Sequence, residues 1–302
     1  MDAITEATRL IDAPCVIEGQ PIEQYHGGPG ISKTGLDRIN VSPANFYDLT
    51  LNPVRPPEPE RKGQLEGQLA HCAILEPEEF DSRYAVLPAD APDRPTEAMV
   101  NAKNPSESSI ARQKWWAEWN QKSQGRIIIT NDQRETAMRQ AEAVRCLPDV
   151  AEALAAGVAE SSAYWIDQET GVLCRCRPDW CHPAGESGVI LLDVKTFSDA
   201  SPHEFSRQIA RKRYHVQDAF YTDGYAAASG KSVLAFIFVA VQDAWPFAAS
   251  AVMLDPRSQD QGRRDYRRNL ITYAECLTSG NWPGFGQGVH LASLPNWAFN
   301  DE

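Results

Sequence analysis

The chain has 302 residues, of which 42% are hydrophobic and 9% aromatic, enough apolar material for one large domain or two small ones. Its formal net charge of −12 argues against a protein that coats duplex DNA, because phosphate binding usually leaves a basic surface. Net charge describes the whole surface, however, and a local basic patch is compatible with it.

No run of eighteen or more apolar residues occurs in the sequence, so neither a transmembrane helix nor a membrane partner is predicted. Residues 1–14 lack the basic start and apolar stretch of a secretory signal. The seven cysteines are an odd, scattered set, which fits reduced thiols better than a disulfide framework. We therefore expect a cytoplasmic protein.

The first half of the chain is predicted to be mainly helical after a weakly patterned segment over residues 1–30. Helices are predicted near Ser32, near Ser42, over 63–80, around Trp115 and over 132–147. Residues 88–110 are rich in Pro, Ala, Asp and Ser, which predicts a long surface loop and local disorder.

The second half of the chain alternates strand and helix patterns. Strands are predicted over 159–167, 172–180, 189–197, 233–241 and 247–254, and helices over 203–228 and 257–277. This order predicts an α/β fold with a mixed central sheet flanked by helices, plus an N-terminal helical portion. We expect a single domain over 31–302, with a mainly helical portion (31–158), an α/β core (159–280) and a tail (281–302).

The predicted strand over 189–197 carries an acid within an apolar run. Period-two alternation places Asp193 on the same face as Lys195. An ionised Asp in a buried strand is costly unless it is paired or bound to a metal. Asp179 ends the preceding predicted strand, so a hairpin would bring two carboxylates together. Because two such groups repel unless a cation lies between them, their oxygens predict an Mg²⁺ or Mn²⁺ site.

These groups suit the hydrolysis of a phosphodiester. A metal polarises the phosphoryl oxygen and lowers the pKa of a bound water, while a nearby ammonium orients that water or neutralises developing charge. For a lone D-x-K motif, an ordinary Asp–Lys ion pair at a strand end is the better explanation. The preceding Pro178-Asp179 pair and the strand–strand–helix pattern favour catalysis here.

The segments RPDW (177–180) and LLDVKT (191–196) together resemble the signature of the PD-(D/E)xK nucleases. Gln217 and Tyr221, four residues apart on one helix face, are similar to the Q-x-x-x-Y motif of the RecB-type branch of these enzymes. His71 in GQLAHCAILEP resembles the histidine that this branch places on an upstream helix as an extra metal ligand.

Nearly the whole chain, from about residue 25 to 280, resembles the RecE-like (exonuclease VIII) exonucleases of phages and prophages. The segments that carry this resemblance are YHGGPGISKTGLDRINVSPANFY, GQLAHCAILEP, the tryptophan helix, TGVLCRCRPDW, LLDVKT and RYHVQDAFY. It implies a metal-dependent exonuclease that digests the 5′ strand of linear double-stranded DNA and leaves 3′ tails for recombination. It also implies a homo-oligomeric ring, a RecT-like single-strand annealing partner and a bacterial host cell.

The resemblance also implies roles for individual residues. The metal ligands would be His71, Asp179, Asp193, the Val194 carbonyl and, as in relatives with a second metal, Glu160. Mg²⁺ would be the metal, and Mn²⁺ could substitute for it. Lys195 would assist the attacking water, while Gln217 and Tyr221 would contact the substrate or support Lys195.

The cysteines do not indicate a metal cluster. Cys174, Cys176, Cys181 and His182 lack the paired two-residue spacings of a zinc ribbon, and the first two share one strand face as small core residues. The iron–sulfur cluster of some relatives uses one early and three late cysteines, whereas only Cys276 is late here. We expect neither zinc nor an iron–sulfur cluster.

Two basic stretches are candidates for contacts with DNA phosphates, with a solvated helix face as the alternative. The first comprises Arg207, Arg211, Lys212 and Arg213, and the second Arg263, Arg264, Arg267 and Arg268. Ser32 and Lys33 could contact a 5′-terminal phosphate at a helix start, although an ordinary N-cap is an equally good explanation.

Two other functions stay open. The same nuclease core could belong to an endonuclease or a single-strand nuclease, or the chain could be a non-catalytic scaffold that binds DNA ends in recombination. The unbroken set of acids and lysine argues against the scaffold, because a relict fold has no physical need to keep it.

Overall fold

The computed structural model describes residues 11–59, 63–286 and 288–294. The first ten residues of the predicted N-terminal segment, and residues 287 and 295–302 of the predicted tail, lie outside this part of the chain. None of the helices in this part of the chain has the length and apolar character of a membrane span.

The central feature of the fold is a mixed sheet. The strands are β1 (Cys15–Ile17), β2 (Tyr84–Val86), β3 (Ile127–Ile129), β4 (Val158–Ala159), β5 (Ser162–Ile166), β6 (Leu173–Cys176), β7 (Trp180–Ala184), β8 (Gly188–Phe197), β9 (Ser232–Gln242) and β10 (Ala249–Val252). Five of them form the central sheet in the order β10-β9-β8-β7-β4, with β8 and β9 parallel and the other neighbours antiparallel. A second sheet, β1-β5-β6, is antiparallel, and β2 and β3 form a small parallel pair.

Helices surround this sheet. They are α1 (Ile22–Gly27), α2 (Lys33–Val41), α3 (Pro43–Phe46), α4 (Gln64–Leu75), α5 (Phe80–Arg83), α6 (Glu97–Val100), α7 (Glu107–Lys122), α8 (Asn131–Arg145), α9 (Pro148–Leu154), α10 (Pro202–Arg211), α11 (Tyr214–Ser229) and α12 (Pro256–Ser279). Ser32 and Ser42 cap α2 and α3, as predicted, because their hydroxyls accept hydrogen bonds from backbone amides in the first turn.

Both faces of the central sheet are covered, which explains its apolar strands. Leu191 and Phe236 belong to a core shared with α10, α11 and α12. Leu192 and Val239 belong to a second core on the opposite face, shared with α4 and α8. The predicted α/β fold, a mixed sheet flanked by helices, is confirmed.

One predicted strand is wrong in its extent. The strand predicted over 172–180 is two strands, β6 and β7, which lie in different sheets. Pro178 separates them, and its ring removes the backbone donor that a continuous strand would need. His182 and Pro183, which lie between the strands predicted over 172–180 and 189–197, belong to β7 and pair with β8.

Two further predictions need correction. The single helix predicted over 203–228 is broken into α10 and α11 at Arg213, whose φ of +56° lies in the left-handed region. No glycine or proline marks this break in the sequence. The loop predicted over 88–110 contains the short helix α6 and the start of α7, each capped by a Thr or Ser hydroxyl.

Candidate active site

The two predicted acids meet where β7 and β8 pair. Trp180 lies opposite Leu192 in this antiparallel pair. The adjacent residues Asp179 and Asp193 therefore lie opposite each other as well. Both are buried, with 8% and 1% of their surface exposed. The hairpin predicted from the sequence therefore exists, although Asp179 lies just before a short strand and does not end a long one.

Asp179 is fixed by the backbone of β8 and faces His71. Its Oδ2 accepts a 2.7 Å hydrogen bond from the Val194 amide, and His71 Nδ1 lies 3.6 Å from the same oxygen. The other ring nitrogen of His71, Nε2, lies 3.0 Å from the Val194 carbonyl oxygen. Helix α4 thus brings His71 from a distant part of the sequence to the two acids.

Asp193 is contacted by two polar side chains in an otherwise apolar region. Lys195 Nζ forms an ion pair with Oδ2, and Gln217 Nε2 on α11 donates a 2.5 Å hydrogen bond to Oδ1. Period-two alternation along β8 places Asp193 and Lys195 on the same face, as predicted. These partners compensate the desolvation of the carboxylate, which would be costly for an isolated buried charge.

The ionisation of the site follows from this crowding. Burial, together with the neighbouring Asp193, raises the pKa of Asp179 to about 7. Burial alone would lower the pKa of Lys195, but Asp193 and Asp179 outweigh it and hold that pKa above its usual value. Asp179 therefore exchanges a proton near neutral pH, whereas Lys195 stays charged.

Glu160 completes a second grouping of ligands. One ligand atom each of His71, Glu160 and Asp179 lie within 4.8 Å of one another. Glu160 has a φ of +54°, in the left-handed region, and its Oε2 accepts a 2.6 Å charged hydrogen bond from Arg177 Nε. Arg177 also donates to the Ser162 hydroxyl at 2.7 Å, so it holds Glu160 at the edge of the site.

This donor set fits a divalent metal. Carboxylate and carbonyl oxygens with one imidazole are ligands that Mg²⁺ or Mn²⁺ accepts, and ligand atoms within 4.8 Å of one another can share one ion. The Asp193 carboxylate contacts Lys195 and Gln217. A metal ion bound by both Asp179 and Asp193 would therefore compete with Lys195 for the Asp193 carboxylate. Because Glu160 lies close to His71 and Asp179, it is a stronger candidate for a metal ligand than the sequence alone indicated.

The aromatic residues around Lys195 include one that the sequence reasoning missed. Lys195 Nζ lies 5.0 Å from the centroid of the Tyr214 ring, and Lys33 Nζ lies 5.4 Å from it. Tyr214 is one helical turn before Gln217, and this spacing was the available signal. Tyr221, one turn after Gln217, packs its ring edge-on against Phe236 at 6.0 Å.

Lys33 is directed into the protein. Its ammonium donates to the Lys212 carbonyl at 2.9 Å and pairs with Asp37 at 2.7 Å. Burial, opposed by Asp37 and helped by Lys195, lowers its pKa. The Ser32 hydroxyl is the N-cap of α2, accepting from Gly35 N at 3.4 Å. These contacts give Ser32 and Lys33 structural roles, and a contact with a 5′-terminal phosphate stays a prediction.

The predicted DNA-contacting basic residues fall into two groups. Arg207, Arg211 and Lys212 are exposed on or just after α10, with Arg207 paired to Glu204 at 3.1 Å. Arg213 instead binds Asp37 Oδ1 at 2.9 Å and Asn40 Oδ1 at 3.0 Å. Three arginines of the second basic stretch also pair with acids of the same chain: Arg263 with Asp223, Arg267 with Asp167, and Arg268 with Asp265. Arg264 instead donates to the Gln261 side chain at 2.8 Å.

Five of the seven cysteines are buried, whereas Cys15 is half-buried and Cys146 is exposed. Cys174 and Cys176 on β6 are fully buried, as predicted for small core residues, and Cys181 is also buried. His182 Nδ1 lies 2.7 Å from the Ala156 carbonyl oxygen, away from these thiols. Their positions are explained by packing alone.

The two acids and the lysine where the start of β7 meets the middle of β8, in a mixed sheet flanked by helices, define the PD-(D/E)xK class of nuclease folds. Over residues 34–291 the chain matches the family described as "PDDEXK-like domain of unknown function (DUF3799)", and it belongs to that family. Enzymes of this class use divalent metals, which agrees with the donor set of the site.

A solved structure shows the same fold. The crystal structure of a "putative exonuclease" from Eubacterium rectale is 10% identical in sequence, with a TM-score of 0.53 over 83% of this chain and 82% of that one. At this identity the likeness concerns the fold only. Among curated proteins, none matches the sequence.

Proposed function

We propose that the chain is a metal-dependent exodeoxyribonuclease that digests the 5′ strand of linear double-stranded DNA and leaves 3′ single-stranded tails for recombination by annealing. The observation that supports it most is the meeting of Asp179, Asp193 and Lys195 beside His71 and Gln217. The polarity and the substrate rest on the RecE-like sequence resemblance. The name of the Eubacterium rectale structure, a "putative exonuclease", agrees with exonuclease activity and says nothing of polarity or substrate.

Each residue of the site has a task in this reaction. His71, Asp179, Asp193 and the Val194 carbonyl would hold Mg²⁺, with Mn²⁺ able to substitute. Glu160, with a ligand atom within 4.8 Å of those of His71 and Asp179, would bind the same ion or a second one. A divalent cation held there supplies Lewis-acid polarisation of the phosphoryl group. Lys195, kept charged by both acids, would neutralise charge that develops on the phosphate or orient the attacking water.

Gln217 and Tyr214 would act on this machinery from α11. Gln217 fixes the direction of the Asp193 carboxylate through its hydrogen bond to Oδ1. The Tyr214 ring provides a face for the Lys195 ammonium, which limits where that charge can move. Tyr221 would support this wall of the site by packing on Phe236.

The assembly that we propose also rests on the resemblance. Copies of the chain would form a ring around linear duplex DNA in the cytoplasm of a bacterial host, and a RecT-like protein would receive the 3′ tail. Arg207, Arg211 and Lys212, exposed just before α11 in the chain, could meet DNA phosphates.

The test is digestion of a linear duplex labelled separately at each 5′ and 3′ end, with Mg²⁺ or with a chelator. We expect early release of the 5′ label, a persistent 3′-labelled strand, and no reaction in chelator. Cleavage of a covalently closed circle would instead indicate an endonuclease. Digestion of single strands alone would indicate a single-strand nuclease, and binding of ends without digestion would indicate a scaffold.

A further inference from the structure

Trp245 lies at the tip of the hairpin between β9 and β10, with 78% of its surface exposed. The other tryptophans in the described part of the chain are buried or half-buried. A tryptophan ring removes a large apolar area from water when it packs, so leaving one exposed forgoes stabilisation of the fold. Its ring is therefore available to a ligand, which the other described tryptophans are not to the same extent.

The hairpin tip holds Trp245 in a defined place. The Asp243 amide donates to the Phe197 carbonyl at 2.9 Å, and the Phe247 amide donates to the Ala244 carbonyl at 2.9 Å. Phe247 has a φ of +61°, a left-handed conformation that is uncommon for an aromatic residue. Its ring meets the Trp245 ring nearly at a right angle, with centroids 6.3 Å apart. The exposed ring is thus backed by a second aromatic side chain.

The tip lies at the same end of the central sheet as the active site. Lys195 pairs with Ala240 and Phe197 pairs with Gln242 in the parallel register of β8 and β9. Trp245 follows Ala240 by five residues. At roughly 3.3 Å per residue, the distance between these two residues along the chain is at most about 17 Å. This distance corresponds to about five nucleotides at the roughly 3.4 Å spacing of stacked bases in one strand.

Exposed cations lie on the neighbouring helix. Helix α10 packs over this end of the sheet, where the Phe205 ring lies 5.6 Å from the Phe197 ring. The segment before α10 is tied to β10 by a 2.6 Å hydrogen bond from the Ser250 hydroxyl to the Ala200 carbonyl. Arg207 and Arg211 are exposed on α10. Aromatic faces beside a basic surface are what sequence-independent single-strand binding sites use.

We propose that Trp245 stacks on a base of the DNA strand, within about five nucleotides of the scissile phosphate, in the single-stranded region that digestion exposes. The inference rests on the proposed nuclease function. Because every base has a π-face, this contact would be tolerant of sequence, as a processing nuclease requires. It would position the strand without taking part in the cleavage.

The test compares Trp245→Leu and Trp245→Phe in the full chain with the parent and with Leu234→Ala. Leu234 is 62% exposed at the other end of β9, so its variant controls for loss of an exposed apolar group. Fluorescence anisotropy would measure binding to a duplex with a 3′ single-stranded tail, in Ca²⁺. We expect Trp245→Leu to weaken binding at least about fivefold, Trp245→Phe to retain most of it, and Leu234→Ala to match the parent. Hydrolysis of bis(p-nitrophenyl) phosphate, which has no base, should be the same in all four proteins.

Parental affinity in Trp245→Leu would overturn the inference. A change in the oligomeric mass of that variant, at unchanged affinity for DNA, would also overturn it by making Trp245 a subunit contact. Failure of the proposed function looks different, because the parent itself would then digest no DNA in Mg²⁺.

Discussion

Asp193 shows at the scale of one residue how the strand accommodates a charge. The residue is 1% exposed within the apolar strand β8, where an unpaired carboxylate would cost several kcal/mol. Lys195 contacts one of its oxygens and Gln217 the other. An apolar side chain would satisfy the fold more simply, so these three polar residues are explained better by chemistry than by stability.

The raised pKa of Asp179 predicts how metal binding depends on pH. A metal needs the ionised carboxylate, so below a pKa of about 7 it must displace a proton. We expect the rise in melting temperature caused by Mg²⁺ to be larger at pH 8 than at pH 6. The measurement is thermal unfolding at both pH values with Mg²⁺ and with chelator.

The metal-free protein should show the opposite trend. The folded pKa of Asp179 lies above its unfolded value of 3.8, so ionisation opposes folding, and stability from this group is lost as pH rises from about 4 to 7. Asp179→Asn should remove both effects. An Mg²⁺-dependent rise that is equal at pH 6 and pH 8 in the parent would contradict this account.

Local patterns predicted part of the site and long-range contacts supplied the rest. Alternation and a hairpin suffice to place Asp179, Asp193 and Lys195 together. His71 meets the Val194 carbonyl across 123 residues, and no local periodicity reveals such a contact, so only the family resemblance suggested it. The inward direction of Lys33 depends on Asp37 and on the end of α10, and it was therefore not predictable.

At the scale of elements, boundaries were harder to predict than element types. The break between α10 and α11 contains no glycine or proline that could have revealed it. Arg213 itself adopts the left-handed conformation there, with its side chain bound to Asp37 and Asn40. The break does matter for the site, since it lets α11 start at Tyr214, beside Lys195. The separation of β6 from β7 likewise depends on which sheet each joins.

The close crossing of α11 and α12 gives a prediction about stability. A Cβ at Gly262 would lie 2.0 Å from the His215 carbonyl oxygen, which is backbone and cannot easily move. We expect Gly262→Ala to destabilise the protein by about 1–3 kcal/mol, as overpacking does. In α4, Gly67 has open space around its Cβ position, so Gly67→Ala should leave stability unchanged or raise it by about 0.5–1 kcal/mol.

Denaturant midpoints of the two alanine variants, measured by circular dichroism, check this pair of expectations. Because both exchanges add the same methyl group to a helix, the comparison isolates the effect of the crossing. Equal midpoints for Gly262→Ala and the parent would show that α11 and α12 do not cross as closely at Gly262 as the structure has them.

For the whole molecule, the acidic net charge and a DNA substrate are compatible. Arg213, Arg263, Arg267 and Arg268 pair with acids of the same chain, so these four of the eight residues in the two predicted basic stretches have their charge balanced within the protein. Arg207, Arg211 and Lys212 remain exposed near the catalytic end of the sheet. DNA affinity would then depend on a small local patch and not on a broad basic surface.

The central claim is that Asp193 belongs to a nuclease site, and a matched pair of variants tests it most directly. Asp218, on α11, is also a buried carboxylate, and burial raises its pKa to about 6. Its hydrogen-bond partners are Thr222 on α11 and Gln259 on α12, where these two helices pack. Asp193→Asn and Asp218→Asn therefore make the same chemical change inside and outside the site.

The measurement is the single-turnover rate of digestion of linear duplex DNA in Mg²⁺ by the parent and both variants. We predict that Asp193→Asn slows digestion by at least about a hundredfold while still binding DNA, a larger loss than a supporting residue would cause. Asp218→Asn should digest at close to the parental rate. If Asp193→Asn digests DNA as fast as Asp218→Asn, the assigned active site is wrong.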